Sequence, residues 1–171
     1  MQAAEPRTPA PTYGTSASSF DEWVLVEEAV VGREIECAVL GNHDLAASVP
    51  GEIVPSAEFY DYEDKYLEGA ARMVIPADVP AEVADDARRL AVRAAGALRV
   101  EGMARVDFFY EAAGRGLLVN EVNTIPGFTP FSMFPSLWGA SGLPYSGLID
   151  SLVELALERH AGRHKRVGRP R

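Results

Sequence analysis

Polar and apolar residues alternate at the start of Glu34-Ile35-Glu36-Cys37-Ala38-Val39-Leu40, and residues 23–28, Trp23-Val24-Leu25-Val26-Glu27-Glu28, form a β-branched run. Both patterns predict strands, and Val31-Gly32-Arg33 between them reads as a turn, giving an antiparallel pair. Residues 50–71 mix Pro, Gly, aromatics and charges without a period and read as one long loop, a feature that is usually functional inside a compact domain. A helical period then sets in. Val83, Ala87, Leu90, Ala91, Ala94 and Leu98 make one apolar stripe, with Asp85, Arg88, Arg89 and Arg93 toward water, Asp78 as the N-cap and Pro80 in the first turn. Residues 103–110 and 116–122 are apolar strands, and Glu111-Ala112-Ala113-Gly114-Arg115 between them suits a tight reversal, which makes a β-hairpin. After the irregular Pro126-Gly127-Phe128-Thr129-Pro130, residues 132–139 and 145–160 read as helices, the second through Leu148, Ile149, Leu152, Leu155 and Ala156. The resulting fold class is α+β, an antiparallel sheet with flanking helices.

The two ends fall outside this pattern. Residues 1–20 are rich in Pro, Ala, Ser and Thr and carry too few large apolar side chains to offset their ordering entropy, so a disordered leader is expected. Residues 161–171 are basic and are expected to be a disordered tail, which leaves residues 21–160 as the folded domain.

With 171 residues, 47% of them hydrophobic, the chain has enough material for one compact domain. Its formal net charge of −9 argues against nucleic acid as a partner, because a phosphate polyanion would be repelled. A nucleotide is not excluded, since a divalent cation between acidic side chains and phosphate oxygens reverses the local sign. The single cysteine, Cys37, has no partner for an intramolecular disulfide and reads as a buried core thiol. The first twenty residues hold no signal-peptide core, and no apolar stretch reaches membrane-spanning length, so a cytoplasmic protein without a membrane partner is expected. His43, His160 and His164 are isolated and are assigned no role.

Candidate chemistry concentrates in the second hairpin. Alternation puts Arg105 and Asp107 on one face of the first strand, and Glu121 and Asn123 on one face of the second. Folding about Ala113–Gly114 brings Asp107 approximately opposite Glu121, where directly opposed Cβ atoms lie roughly 4.5–5.5 Å apart. Two carboxylates so placed repel unless they share a proton or a cation. With oxygen ligands only, and no Cys or His nearby, Mg²⁺ or Mn²⁺ suits the pair better than Zn²⁺. Arg105 would then aim its charge at phosphoryl oxygens or a developing oxyanion. Spacing alone leaves a second reading open, in which the acids are solvated and Arg105 neutralises Asp107 in a surface ion pair worth little.

Four stretches carry a family resemblance: Val24-Leu25-Val26-Glu27-Glu28 with Gly32-Arg33-Glu34-Ile35-Glu36; Phe59-Tyr60-Asp61-Tyr62-Glu63-Asp64-Lys65-Tyr66; Ala104-Arg105-Val106-Asp107-Phe108-Phe109; and Asn120-Glu121-Val122-Asn123-Thr124-Ile125-Pro126-Gly127-Phe128-Thr129. In this order, and joined by Ser132-Met133-Phe134-Pro135 and Trp138, they resemble the D-alanine–D-alanine ligases over about residues 21–159. The resemblance implies the C-terminal portion of an ATP-grasp fold and an ATP-dependent ligase of peptidoglycan precursor synthesis, in which a phosphorylated D-alanine carboxylate is attacked by a second D-alanine amine. It implies that Asp107, Glu121 and Asn123 hold magnesium, and that Arg105 stabilises phosphoryl and tetrahedral charge. It places Glu27 and Glu28 at the adenine, the latter where a Lys is common, and Glu34 at the ribose hydroxyls. Lys65 would reach the phosphates, Tyr66 would help close the loop against water, and Gly127 and Ser132 would receive the second D-alanine, with Met133 nearby. The family's N-terminal domain and most of its central domain have no counterpart in the chain, so a truncated ligase, weak or inactive alone, is expected. A homodimer is expected only where those domains are present. Another ATP-grasp carboxylate–amine ligase and a catalytically silent nucleotide-binding fragment are the alternatives.

Overall fold

The computed structural model describes residues 24–55 and 71–167. The expected leader and the 56–70 segment with Lys65 and Tyr66 lie outside these residues, as do Trp23 and the last four positions of the expected tail. The chain divides into two units, Met1–Val30 and Val31–Arg171, and the second contains the whole sheet.

The alternating segment around Ile35 becomes β1 (Arg33–Gly41), the middle strand of an antiparallel sheet. One edge of β1 pairs with β2 (Ala46–Ala47) and β3 (Gly51–Pro55), the other with β5 (Gly102–Glu111). β4 (Ala71–Val74) continues the sheet beyond β3, and β6 (Gly116–Asn123) continues it beyond β5. The predicted pairing of residues 23–28 with β1 is therefore corrected: residues 24–31 carry no regular structure, and β1 has no edge left to offer. The 50–71 loop is corrected at both ends, where β3 and β4 pair with Ile53 opposite Met73. Its Pro and Gly residues hid the strand pattern, and Gly51 is small because a Cβ there would stand 2.8 Å from Leu137 Cδ2.

One face of the sheet carries Ile35, Cys37, Val39, Val106, Phe108 and Tyr110 against α1 (Ala81–Ala97). Ala87, Ala91 and Ala95 recur at helical spacing, and with so little side chain they let α1 sit close to the strands. Pro80, rather than the predicted Asp78, is the N-cap; its carbonyl accepts the N–H groups of Val83 and Ala84 at 2.9 and 3.0 Å. The Asp78 carbonyl is instead taken by Arg33 Nη2 at 2.7 Å, and Arg33 also donates to both Glu52 oxygens at 2.7 and 2.6 Å. This fork ties the entry of α1 to β1 and β3 and holds the Glu52 carboxyl below its usual range.

The other face carries Ala38 against Met133, Phe134, Leu137 and Trp138 of α2 (Met133–Ala140) and Leu148 of α3 (Tyr145–Val167). α3 does not end near His160 but runs on to Val167, which corrects the disordered tail over residues 161–167. Arg and Lys are good helix formers, so the basic composition does not stop the helix at residue 160. No helix of the described residues is long and apolar enough to cross a membrane.

Cys37 is fully buried, with its Sγ 3.4 Å from the Ser48 carbonyl oxygen. Burial pushes the thiol from 9.0 up to about 11, because a thiolate is poorly solvated there; the Ser48 hydroxyl, 3.9 Å from Sγ, and Arg88 oppose this only partly. Keeping the proton favours the folded state fully below pH about 9, and that contribution is lost as the pH rises through about 11. At pH 8 the folded protein is expected to react with an aromatic disulfide reagent about 100-fold more slowly than the urea-unfolded chain. Equal rates, followed by absorbance, would show that the thiol is not enclosed.

Candidate functional site

The β5–β6 hairpin closes at a turn in which Gly114 N–H donates to the Glu111 carbonyl at 3.1 Å. Arg115 grips the Glu111 carboxylate through Nε at 2.9 Å and Nη2 at 2.8 Å, holding that group down to about 2. From this end the ladder runs Glu111 opposite Gly116, Tyr110 opposite Leu117, Phe109 opposite Leu118 and Phe108 opposite Val119. A uniform ladder would next set Asp107 against Asn120 and send Glu121 to the α1 face. Instead a β-bulge leaves Asn120 over, and the pairs become Asp107 with Glu121, Val106 with Val122 and Arg105 with Asn123. The core records the change of parity: Leu117 and Val122 both pack on the α1 side, although one is odd and the other even. The bulge thus brings Glu121 and Asn123 to the face of Arg105 and Asp107.

β1 adds to the same face. Glu36 lies opposite Asp107, Ala38 opposite Arg105 and Glu34 opposite Phe109. Where the apolar cover by α2 and α3 ends, beyond Ala38 and Met103, these strands present Glu34, Glu36, Arg105, Asp107, Glu121 and Asn123 together.

Arg105 organises the cluster. Its Nε and Nη2 donate to the two oxygens of Asp107, each at 2.7 Å, and these bonds, together with Glu36 and Glu121, hold its pKa above the ordinary value. Nε also stands 3.3 Å from Glu36 Oε2, near enough for an ion pair. The contact is not a hydrogen bond, and this oxygen is buried without a hydrogen-bond partner among the described residues. Glu36 is only 8% exposed, and burial pushes its carboxyl up to about 7. Arg105 opposes that rise, while Asp107, Glu34 and Glu121 add to it by repulsion. Asn123 Oδ1 accepts the N–H of Ile125 at 3.0 Å, which turns the chain out of β6.

Gly127 and Ser132 also come together. A Cβ on Gly127 would stand 3.1 Å from Ser132 Oγ, a tight contact that would push on that hydroxyl. Ser132 is the N-cap residue of α2, but its hydroxyl turns back to Thr129, 3.0 Å from the backbone N and 2.8 Å from Oγ1. Phe128 anchors the segment. Its ring lies 6.0 Å from Phe134 and 5.6 Å from Tyr145, and Tyr145 Oη donates to its carbonyl at 3.0 Å.

The structure thus places Arg105, Asp107, Glu121, Asn123 and Glu34 on one sheet face, and Gly127 and Ser132 together in one turn. Glu27 and Glu28 are exposed on an irregular segment of the first unit, while Lys65 and Tyr66 lie outside the described residues. Glu36 was not assigned a role from sequence, although a carboxylate in the middle of a strand otherwise buried from Ile35 to Val39 was a visible signal. No group of three or more His, Cys, Asp or Glu able to hold a metal occurs among the described residues, so a cation here would rely on two carboxylates and the Asn123 amide.

A family model described as "D-ala D-ala ligase C-terminus" matches residues 2–154. The D-alanine–D-alanine ligase of Solibacter usitatus is 54% identical over 153 residues, which are 90% of this chain and 46% of that protein. The solved D-alanine–D-alanine ligase of Coxiella burnetii superposes with a TM-score of 0.79 at 40% identity, covering 94% of this chain and 43% of its own. The Bacillus anthracis enzyme complexed with ATP gives 0.70 at 28% identity, covering 88% and 49%. The antiparallel sheet with three helices corresponds to the C-terminal ATP-grasp portion of such structures, and the chain spans about half the length of these relatives or less.

Proposed function

Because the chain belongs to the family of D-alanine–D-alanine ligase C-terminal regions, we propose that its acidic sheet face is the catalytic half of an ATP-dependent ligase joining two D-alanine molecules for peptidoglycan precursors. The observation that carries this reading is the bulge-set register that gathers Arg105, Asp107, Glu121 and Asn123 on one face.

The residues present fit a hard divalent cation. Every donor is a carboxylate or amide oxygen, and Asp107, Glu121 and Asn123 share one face of the hairpin. Asp107, Glu121 and Asn123 would hold Mg²⁺ or Mn²⁺. Each of their oxygens has lone pairs beyond those used by Arg105 and Ile125. When bound, the cation supplies positive charge between these acids and the triphosphate, so that an acidic face accepts an acidic nucleotide.

The chain's own groups then divide the work. Arg105, kept charged by its acidic neighbours, steadies the phosphoryl group passing to a D-alanine carboxylate and the oxyanion formed when the second amine attacks. The Gly127 N–H and the Ser132 hydroxyl take the carboxylate of the second D-alanine, and the hydroxyl exchanges its present Thr129 contacts to do so. Glu34 binds the ribose hydroxyls, the segment of Glu27 and Glu28 borders the adenine, and Lys65 and Tyr66 close the nucleotide off from water.

A coupled assay of ADP release tests this reading, with the chain alone and with the N-terminal half of the Solibacter usitatus relative supplied in trans. Release is expected to require both D-alanine and the divalent cation. Nucleotide turnover indifferent to D-alanine, or no release in either mixture, would refute the ligase reading.

A further inference from the structure

Arg105 poses a difficulty for its own site. It occupies both oxygens of Asp107 with two 2.7 Å bonds, and a divalent cation reaching that carboxylate would meet a fixed positive charge beside it. The guanidinium needs somewhere else to go. One neighbour qualifies by position: Glu36 lies opposite Asp107 in the ladder, on the same face, with Oε2 3.3 Å from Arg105 Nε. That oxygen is buried and lacks a hydrogen bond among the described residues, which is a costly state for a carboxylate and one that calls for an explanation.

We infer that Glu36 is the alternative seat of Arg105: when a divalent cation takes Asp107, the guanidinium turns from Asp107 to Glu36. The inference rests on the cation reading above and adds a positioning residue to it. The exchange needs Nε to close from 3.3 Å to the ~2.8 Å of a charge-assisted bond with Glu36, and both Nε and Nη2 to give up their 2.7 Å bonds to Asp107. After it, the orphaned Glu36 oxygen gains a donor, Asp107 is free to ligate, and Arg105 remains neutralised beside the phosphates. Glu36 touches neither substrate nor cation in this scheme; it acts through Arg105.

The test is a titration of the whole chain with Mn²⁺ alone, the unbound aquo ion being counted by electron paramagnetic resonance. Glu36→Gln keeps the side-chain shape and removes a buried charge, so the variant is expected to fold. It should raise the half-saturating Mn²⁺ concentration about 10-fold, because Arg105 then stays on Asp107. In an Arg105→Gln background the same replacement should raise it only about 2-fold, the remainder due to plain charge attraction. Equal factors in the two backgrounds, or no change in the first, would overturn the exchange. A second measurement needs no variant. Adding Mg²⁺ to ¹⁵N-labelled protein is expected to shift the Arg105 Nε–H resonance as its acceptor changes, and an unmoved resonance in protein that binds Mn²⁺ would overturn the exchange while leaving the cation site standing. Failure of the unmodified chain to bind Mn²⁺ at all would overturn the cation reading and the exchange together.

Discussion

Asp107→Asn is expected to lose cation-dependent ATP binding, with affinity falling about 30-fold to 4,000-fold while the fold is kept. The amide is isosteric with the carboxylate but brings no charge to a cation, and deleting one partner of a hydrogen-bonded charge pair typically costs about 2–5 kcal/mol, each ~1.4 kcal/mol being a factor of ten. Arg105 is not stranded by the change, since Glu36 stands 3.3 Å from its Nε. The melting temperature should therefore move by only a few degrees. Calorimetric titration of ATP into the variant, with Mg²⁺ and with a chelator, checks both parts. Equal ATP affinity in the presence and absence of Asp107's charge would remove the carboxylate from the nucleotide site.

The second large effect is on stability, and through it on the turn over residues 127–132. Phe134 is fully buried in the cluster beneath Ala38, and its ring lies 6.0 Å from Phe128. Phe134→Ala is expected to cost about 3–5 kcal/mol, the range for truncating a buried aromatic ring. In a domain of this size that lowers the melting temperature by roughly 10 °C or more. The loss should spread to the turn that sets Gly127 against Ser132, because Phe128 would keep Tyr145 at 5.6 Å and lose its other ring neighbour. Thermal unfolding measures the first part, and amide exchange at residues 127–132 measures the second. A variant as stable as its parent would mean that α2 does not depend on this ring.

Much of the site was legible because it rests on local periodicity. Arg105 with Asp107, and Glu121 with Asn123, share faces by simple alternation, and the Gly114 turn fixed which strands meet. The register itself was only approximate. Folding about Ala113–Gly114 aligns Asp107 with Asn120, and one surplus residue decides whether Glu121 joins the site or the α1 face. The clue was the apolar parity of Leu117 and Val122, which no regular strand can satisfy on one side.

What failed was partner choice. Residues 24–28 read as a strand on composition, yet β1 found β3 and β5, because pairing is decided by burial across the sheet rather than by nearness in the chain. Asp78 is an apt N-cap by type, but Arg33 claimed its carbonyl and the helix began after Pro80. Glu36 was passed over for a similar reason: its significance comes from Arg105 and Asp107 across the ladder, and sequence alone does not show that neighbourhood.

The most direct test of the central claim is paramagnetic broadening in the ¹H–¹⁵N spectrum of the chain as Mn²⁺ and ATP are added in small amounts. Convergence of two strands on one cation predicts that the amides of Arg105 to Asp107 and Glu121 to Asn123 fade first, together and at the same Mn²⁺ level. Broadening that begins elsewhere, or that reaches residues 105–107 while sparing 121–123, would contradict it.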